Sequence, residues 1–121
     1  MSGKNEGDNL ILFSYCSYPN QQWYLEKQSN GNYVIRNLCS NLVLGVENNS
    51  TQNGANIAQY IYNGSKSQQW KIENINGYYK IINCNSGKAL EVEGAKCYNG
   101  ANISQNVYRG KDNQFWIIEA V

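Results

Sequence analysis

The sequence predicts an all-β fold built from copies of one four-stranded unit, and three observations predict it. The tripeptide Gln-x-Trp occurs three times, as Gln21-Gln22-Trp23, Gln68-Gln69-Trp70 and Gln114-Phe115-Trp116. These hold the only tryptophans, which lie 47 and 46 residues apart. A rare residue recurring in one local frame at a fixed period marks an internal repeat. Short runs rich in Val, Ile, Tyr and Leu alternate with polar residues, the two-residue period of half-buried strands. Asn-Gly pairs beginning at Asn30, Asn53, Asn63, Asn76 and Asn99 punctuate those runs. Both residues tolerate the positive φ that tight hairpins need. No window of useful length shows the helical period.

The repeat extends beyond the tryptophans. Aligned backwards from each one, the segments Glu6–Trp23, Asn53–Trp70 and Asn99–Trp116 match without a gap. Gly7, Gly54 and Gly100 superimpose, as do Leu10, Ile57 and Ile103, then Tyr15, Tyr62 and Tyr108. The preceding stretch repeats only twice. Gly31–Asn37 matches Gly77–Asn83, and Asn41–Glu47 matches Gly87–Glu93. A single domain, 1–121, therefore divides into a partial repeat 1–26 and full repeats 27–73 and 74–121. In the last repeat, strands are expected near Tyr78–Asn83, Lys88–Glu93, Ile103–Tyr108 and Gln114–Glu119.

Composition narrows the function. A chain of 121 residues can bury a real core. A net charge of +1 supplies no field to favour nucleic acid. Histidine is absent, which removes the commonest general base and metal ligand at neutral pH. No apolar run approaches the ~20 residues of a membrane span, and no signal peptide opens the chain. Neither membrane insertion nor a cofactor is expected. Four cysteines (Cys16, Cys39, Cys84, Cys97) allow three disulfide pairings. Cys84 and Cys97 flank one hairpin-sized segment and form the most plausible pair. No cysteine recurs at equivalent repeat positions, so free, buried thiols are the expectation.

The repeating units, each ending in Gln-x-Trp, resemble the ricin B-type lectin domain, also called carbohydrate-binding module family 13. The last repeat carries the likeness most clearly, in SGKALEVEG, NGANISQNVY and DNQFW. The resemblance covers almost the whole chain. It implies a β-trefoil, in which six strands close a short barrel, three hairpins cap one end, and the tryptophans pack inside. It also implies a non-catalytic module that binds galactose-type or related sugars, secreted or at a cell surface. A full trefoil has twelve strands, whereas ten are legible here. The first unit would lack its first barrel strand and the first strand of its cap hairpin, leaving exposed edges. The chain could be part of a longer one, two chains could pair as a homodimer, or residues 1–12 could close the gap irregularly. Self-association is slightly favoured.

The resemblance also assigns positions. In ricin-type repeats an acid on the second strand accepts hydrogen bonds from sugar hydroxyls. An aromatic ring on the third strand covers the pyranose, and an Asn just before Gln-x-Trp adds a polar contact. A sugar has a C–H face that suits a ring and hydroxyls that need charged or amide partners, so both must converge. In the last repeat these positions hold Glu91, Asn106 and Asn113, with Gln114 beside it and Tyr108 as a substitute ring. In the middle repeat Gly45 replaces the acid and Ser67 replaces the Asn; Tyr60 holds the aromatic position, with Asn63 and Gln68 as polar candidates. In the first repeat the acid segment is absent, leaving Phe13, Asn20 and Gln21. No repeat keeps the full set.

Each residue also has a plain structural reading. Glu91 on a short strand reads as solvent-facing, and Phe13 as core or interface. Gln21, Gln68 and Gln114 read as partners of backbone groups, because a buried amide must be satisfied. The alternative function is protein interaction or assembly, as in trefoil toxin-complex subunits or protease inhibitors. An enzyme has no support: there is no histidine, no nucleophile–base arrangement and no metal cluster.

Overall fold

The structure is a computed structural model that describes residues 10–14, 23–37, 40–92 and 103–120, with the backbone path alone for 10–14. Asn20, Gln21, Cys16, Cys39, Cys97 and the side chain of Phe13 lie outside the described residues.

Ten strands follow in order. The first unit supplies β1 (Leu10–Ser14) and β2 (Trp23–Lys27). The middle repeat supplies β3 (Tyr33–Asn37), β4 (Val43–Val46), β5 (Ile57–Tyr60) and β6 (Trp70–Ile75). The last supplies β7 (Tyr78–Asn83), β8 (Ala89–Val92), β9 (Ile103–Asn106) and β10 (Trp116–Ala120). In the last repeat β7 falls as the alternation put it, β8 and β9 are shorter than expected, and β10 starts at Trp116 rather than Gln114 and runs to Ala120. Single 3-10 turns at Lys66–Gln68 and Asp112–Gln114 take up the residues before the tryptophans.

Pairing closes six strands into a ring: β1 with β2, β2 with β3, β3 with β6, β6 with β7, β7 with β10, and β10 with β1. The hairpins β4–β5 and β8–β9 stand off this barrel, joined to it through Arg36↔Val43 and Ile82↔Ala89. Between β6 and β7, Asn76 and Gly77 take φ of 55° and 97°, the conformation a tight hairpin demands.

The placement of β1 corrects the sequence expectation. By alignment, Leu10–Ser14 is the counterpart of the cap strands β5 and β9. In the structure it lies between β10 and β2, the place that β3 and β7 hold for their own repeats. It pairs with β10 over its whole length, from Leu10↔Ala120 to Ser14↔Trp116. The first unit thus contributes two strands as expected, but the first barrel position is filled. Leu10-Ile11-Leu12-Phe13 is an apolar run without alternation, the pattern of a strand buried on both faces. An open barrel would expose two rows of unpaired backbone groups, and closure removes them. The edges that motivated self-association are therefore paired within the chain.

The core gathers Leu25, Ile35, Leu44, Val46, Ile57, Trp70, Ile81, Leu90 and Trp116. Trp70 donates its indole N–H to the Leu44 carbonyl at 3.3 Å, and Trp116 to the Leu90 carbonyl at 3.0 Å. The two indoles are thus fastened identically, each to the second strand of its own repeat. Trp23 differs: it packs against the same core but is only half buried. Among the described residues the first unit has no counterpart of β4 or β8 to cover it.

The loop before each second strand is also copied. The Asn37 side chain accepts from the Ser40 amide at 3.0 Å, and that of Asn83 from Ser86 at 3.1 Å. Ser40 then donates to Gln59 at 2.8 Å, and Ser86 to Gln105 at 2.7 Å. Gln105 is fully buried and donates to the carbonyls of Ser50 and Gln52, binding one cap hairpin to the other.

Candidate functional site

The strand register places the candidate residues. In the last repeat Glu91 pairs with Ser104 and Ala89 with Asn106, so Glu91 and Asn106 are diagonal neighbours on one hairpin face. Glu91 is not the solvent-facing residue expected of a short strand, for it is only 5 % exposed. Its two oxygens are divided between two amides. Oε1 accepts from Gln114 Nε2 at 3.1 Å, and Oε2 accepts a short bond from Asn106 Nδ2. Glu91 makes no ion pair among the described residues.

Gln114 is the hub of this arrangement. It is fully buried; its Nε2 also donates to the Val107 carbonyl at 2.9 Å, and its Oε1 accepts from the Arg109 amide at 2.8 Å. Gln68 does the same in the middle repeat, donating to the Ile61 carbonyl at 3.1 Å and accepting from the Asn63 amide at 2.9 Å. The backbone-satisfying role read for these glutamines holds in both. Asn63 is a turn residue, its Oδ1 accepting from the Ser65 amide at 2.9 Å. Asn113 is half buried and has a partner of its own.

The middle pocket is filled differently. A Cβ built on Gly45 would lie 3.0 Å from Gln68 Cγ and 3.2 Å from Tyr60 Cδ2. The Tyr60 ring thus occupies space that an acid at position 45 would need. Glycine is the residue that lets the ring in. Burial pushes the Tyr60 phenol above its ordinary range, and the nearby Glu47 carboxylate adds to the rise. Ser67, in the place of Asn113, is buried and donates a short bond to Asn49 Oδ1.

Two expectations are corrected. Phe13 was aligned with Tyr60 and Asn106, but its backbone pairs with Ile117 in the barrel rather than within a cap hairpin, because closing the ring takes that strand. Tyr108 does not stand in for a ring over Glu91. Its ring contacts are with Phe115, 6.4 Å between centroids, and with Lys80, whose Nζ lies 4.4 Å from the ring centre. Sequence reasoning also passed over Ile61 and Val107, 80 % and 47 % exposed, which follow the aromatic position in each full repeat. Their recurrence at one repeat position was the available signal.

The ricin-type beta-trefoil lectin domain-like family matches residues 1–60 and 66–121. The chain belongs to that family. As a family, these are carbohydrate-binding lectin domains. The domain is similar to a designed three-fold symmetric protein, ThreeFoil, at 44% identity and TM-score 0.81, over 90% of this chain and 79% of that one. It is also similar to 1,3Gal43A, an exo-β-1,3-galactanase from Clostridium thermocellum, at 36% identity and TM-score 0.78. That match covers 83% of this chain but only 22% of the galactanase. The Macrolepiota procera ricin B-like lectin, crystallised with lactose, shares the fold at 18% identity and TM-score 0.72, over 90% of this chain and 77% of that one. No curated protein matches the chain.

Among the described residues, no group of His, Cys, Asp and Glu could hold a metal ion. Cys84 is a free, half-buried thiol, and burial raises its pKa against the opposing pull of Lys71 and Lys66.

Proposed function

We propose that this domain is a non-catalytic lectin module that binds a galactose-type sugar through the last repeat. The observation that carries the reading is Glu91: a buried acidic side chain held by two neutral amides with no ion pair among the described residues. Burying a polar group costs free energy unless hydrogen bonds satisfy it, and here two amide donors do so in place of a cation. A carboxylate offers about four lone-pair sites. Asn106 and Gln114 fill one on each oxygen, which leaves capacity for two sugar hydroxyls. Asn106 spends one N–H on Glu91 and keeps its carbonyl and second N–H, so Glu91 also orients the amide that a sugar would meet. Asn113 stands next to Gln114 in the chain, and the Val107 backbone carbonyl accepts from Gln114 Nε2. Tyr60 is the candidate of the middle repeat, a ring without an acid. Phe13, Asn20 and Gln21 have no role in this reading.

The galactanase match, at 36% identity over one module-sized part of that enzyme, supports a galactose-type ligand and a module that can be joined to a catalytic domain. Single pockets of this kind are weak, and affinity grows with valency. The test is a glycan array followed by titration of galactose into wild type, Glu91→Ala and Asn106→Ala. The reading expects galactosides to be retained and both variants to lose binding by about tenfold or more. Unchanged binding in both removes the last-repeat pocket.

A further inference from the structure

The middle repeat shows what the scaffold needs at one particular spot, and the last repeat departs from it. In the middle repeat, Gln69 ties the segment before β6 to the turn before β3. Its Oε1 accepts from Asn30 at 3.1 Å and from Asn32 at 3.2 Å, and its Nε2 donates to the Gly64 carbonyl at 3.0 Å. This knot of amides is buried at its centre, at Gln69. One repeat later the same positions hold Asn76, Tyr78, Phe115 and Gly110. Three rings now meet there. Tyr78 stacks on Phe115 with centroids 6.0 Å apart and planes at 25°, and Tyr108 meets Phe115 edge-on at 60°. Tyr78 is 47 % exposed, and the other two are half exposed.

One cation meets the rings, and two more lie close to them in the chain. Lys80 lies over the Tyr108 face, while Arg109 and Lys111 are exposed beside it in the chain and in no ion pair among the described residues. Their middle-repeat counterparts are Val34, Asn63 and Ser65, none of them charged. Among the described residues Lys80 is balanced by Glu73 at 3.0 Å, whose side chain is 61% exposed, an ion pair that an incoming anion can exchange. Tyr108 has a counterpart ring in Tyr62, but fold closure explains neither Tyr78 and Phe115 nor the charges, because the neighbouring repeat closes with Asn32 and Gln69 in place of those two rings.

We infer that Tyr78, Tyr108 and Phe115, with Lys80, Arg109 and Lys111, form a second carbohydrate surface that takes an acidic saccharide. The rings stack on the C–H face of a pyranose, and the cations meet its carboxylate or sulfate. This surface shares with the pocket reading only the premise that the domain handles sugars, and it uses none of the pocket's residues.

The test compares a galacturonic acid trisaccharide with a neutral galactose trisaccharide by amide NMR, on wild type, Tyr78→Asn/Phe115→Gln and Asn106→Ala. The double variant gives the last repeat the residues of the amide knot, so it should fold; near-ultraviolet circular dichroism checks this. Expected are shifts at residues 78–80, 108–111 and 115 with the acidic trisaccharide. Binding should weaken about tenfold in the double variant and weaken with added salt, while the shifts at these amides persist in Asn106→Ala. Equal binding by wild type and a folded double variant overturns the inference, as does an acidic trisaccharide that leaves these amides unmoved. A single-stranded oligonucleotide producing the shifts in place of the uronate also overturns it. Loss of neutral galactose binding alone would instead count against the pocket in the last repeat.

Discussion

The middle and last repeats are two solutions to one packing problem. Both fasten an indole to the second strand, both satisfy a buried glutamine with the same two backbone groups, and both build the loop before that strand from the same Asn and Ser. They differ in what fills the hairpin face. The middle repeat has a ring over a glycine, Tyr60 over Gly45; the last has an amide over an acid, Asn106 over Glu91. Each pair is sterically and chemically matched. A ring where Tyr60 lies excludes a side chain at 45, and an acid at 91 needs the amide donors that a ring could not supply. A ring and an acid thus fall in different repeats, each fitted sterically within a preserved frame.

The largest effects should come from the frame. Trp70→Ala and Trp116→Ala should each cost about 3–5 kcal/mol in urea unfolding, since each deletes a buried indole and its hydrogen bond. Trp23→Ala should cost clearly less. Equal losses at all three would mean that the half-burial of Trp23 has no energetic meaning.

Next comes the exchange itself. Gly45→Glu should destabilise by about 1–3 kcal/mol, because its Cβ would press on a ring and on a glutamine already held at both ends. Glu91→Ala should cost about 1–3 kcal/mol by leaving the Asn106 and Gln114 donors without their acceptor. If the pairs are coupled, Gly45→Glu with Tyr60→Asn should cost less than the sum of its parts by at least about 0.5 kcal/mol. Strict additivity would break the comparison.

The smallest effect is a titration. Burial and Glu47 hold the Tyr60 phenol above the ordinary tyrosine range. A raised folded-state pKa means stability that is fully present below the unfolded value of about 10 and lost as pH rises through the folded one. Ultraviolet titration, with Tyr60→Phe to assign the signal, should show the Tyr60 phenol ionising late and moved down by Glu47→Gln. No movement would remove Glu47 as a contributor.

Much of this was legible in the chain. The Gln-x-Trp period gave the repeat, and alternation with Asn-Gly turns located the four strands of the last unit. Three things were not. The alignment put Leu10–Ser14 in a cap hairpin, whereas the structure puts it in the barrel, because sequence likeness records descent and strand pairing obeys the need to close an edge. Nor could position-by-position transfer reveal that Glu91 is buried. Its environment is made by Asn106 and Gln114, which are 15 and 23 residues away in the chain. Gly45 looked like a lost acid, and only the distances to Tyr60 and Gln68 show that it makes room.

The most direct measurement is a ¹⁵N–¹H titration of the domain with galactose that follows the side-chain amides of Asn106 and Gln114. Those two signals should move, together with the backbone of β8 and β9, and the response should vanish in Glu91→Ala. Galactose shifting only residues around Tyr60, or shifting nothing in the last repeat at saturating concentration, would contradict the assignment.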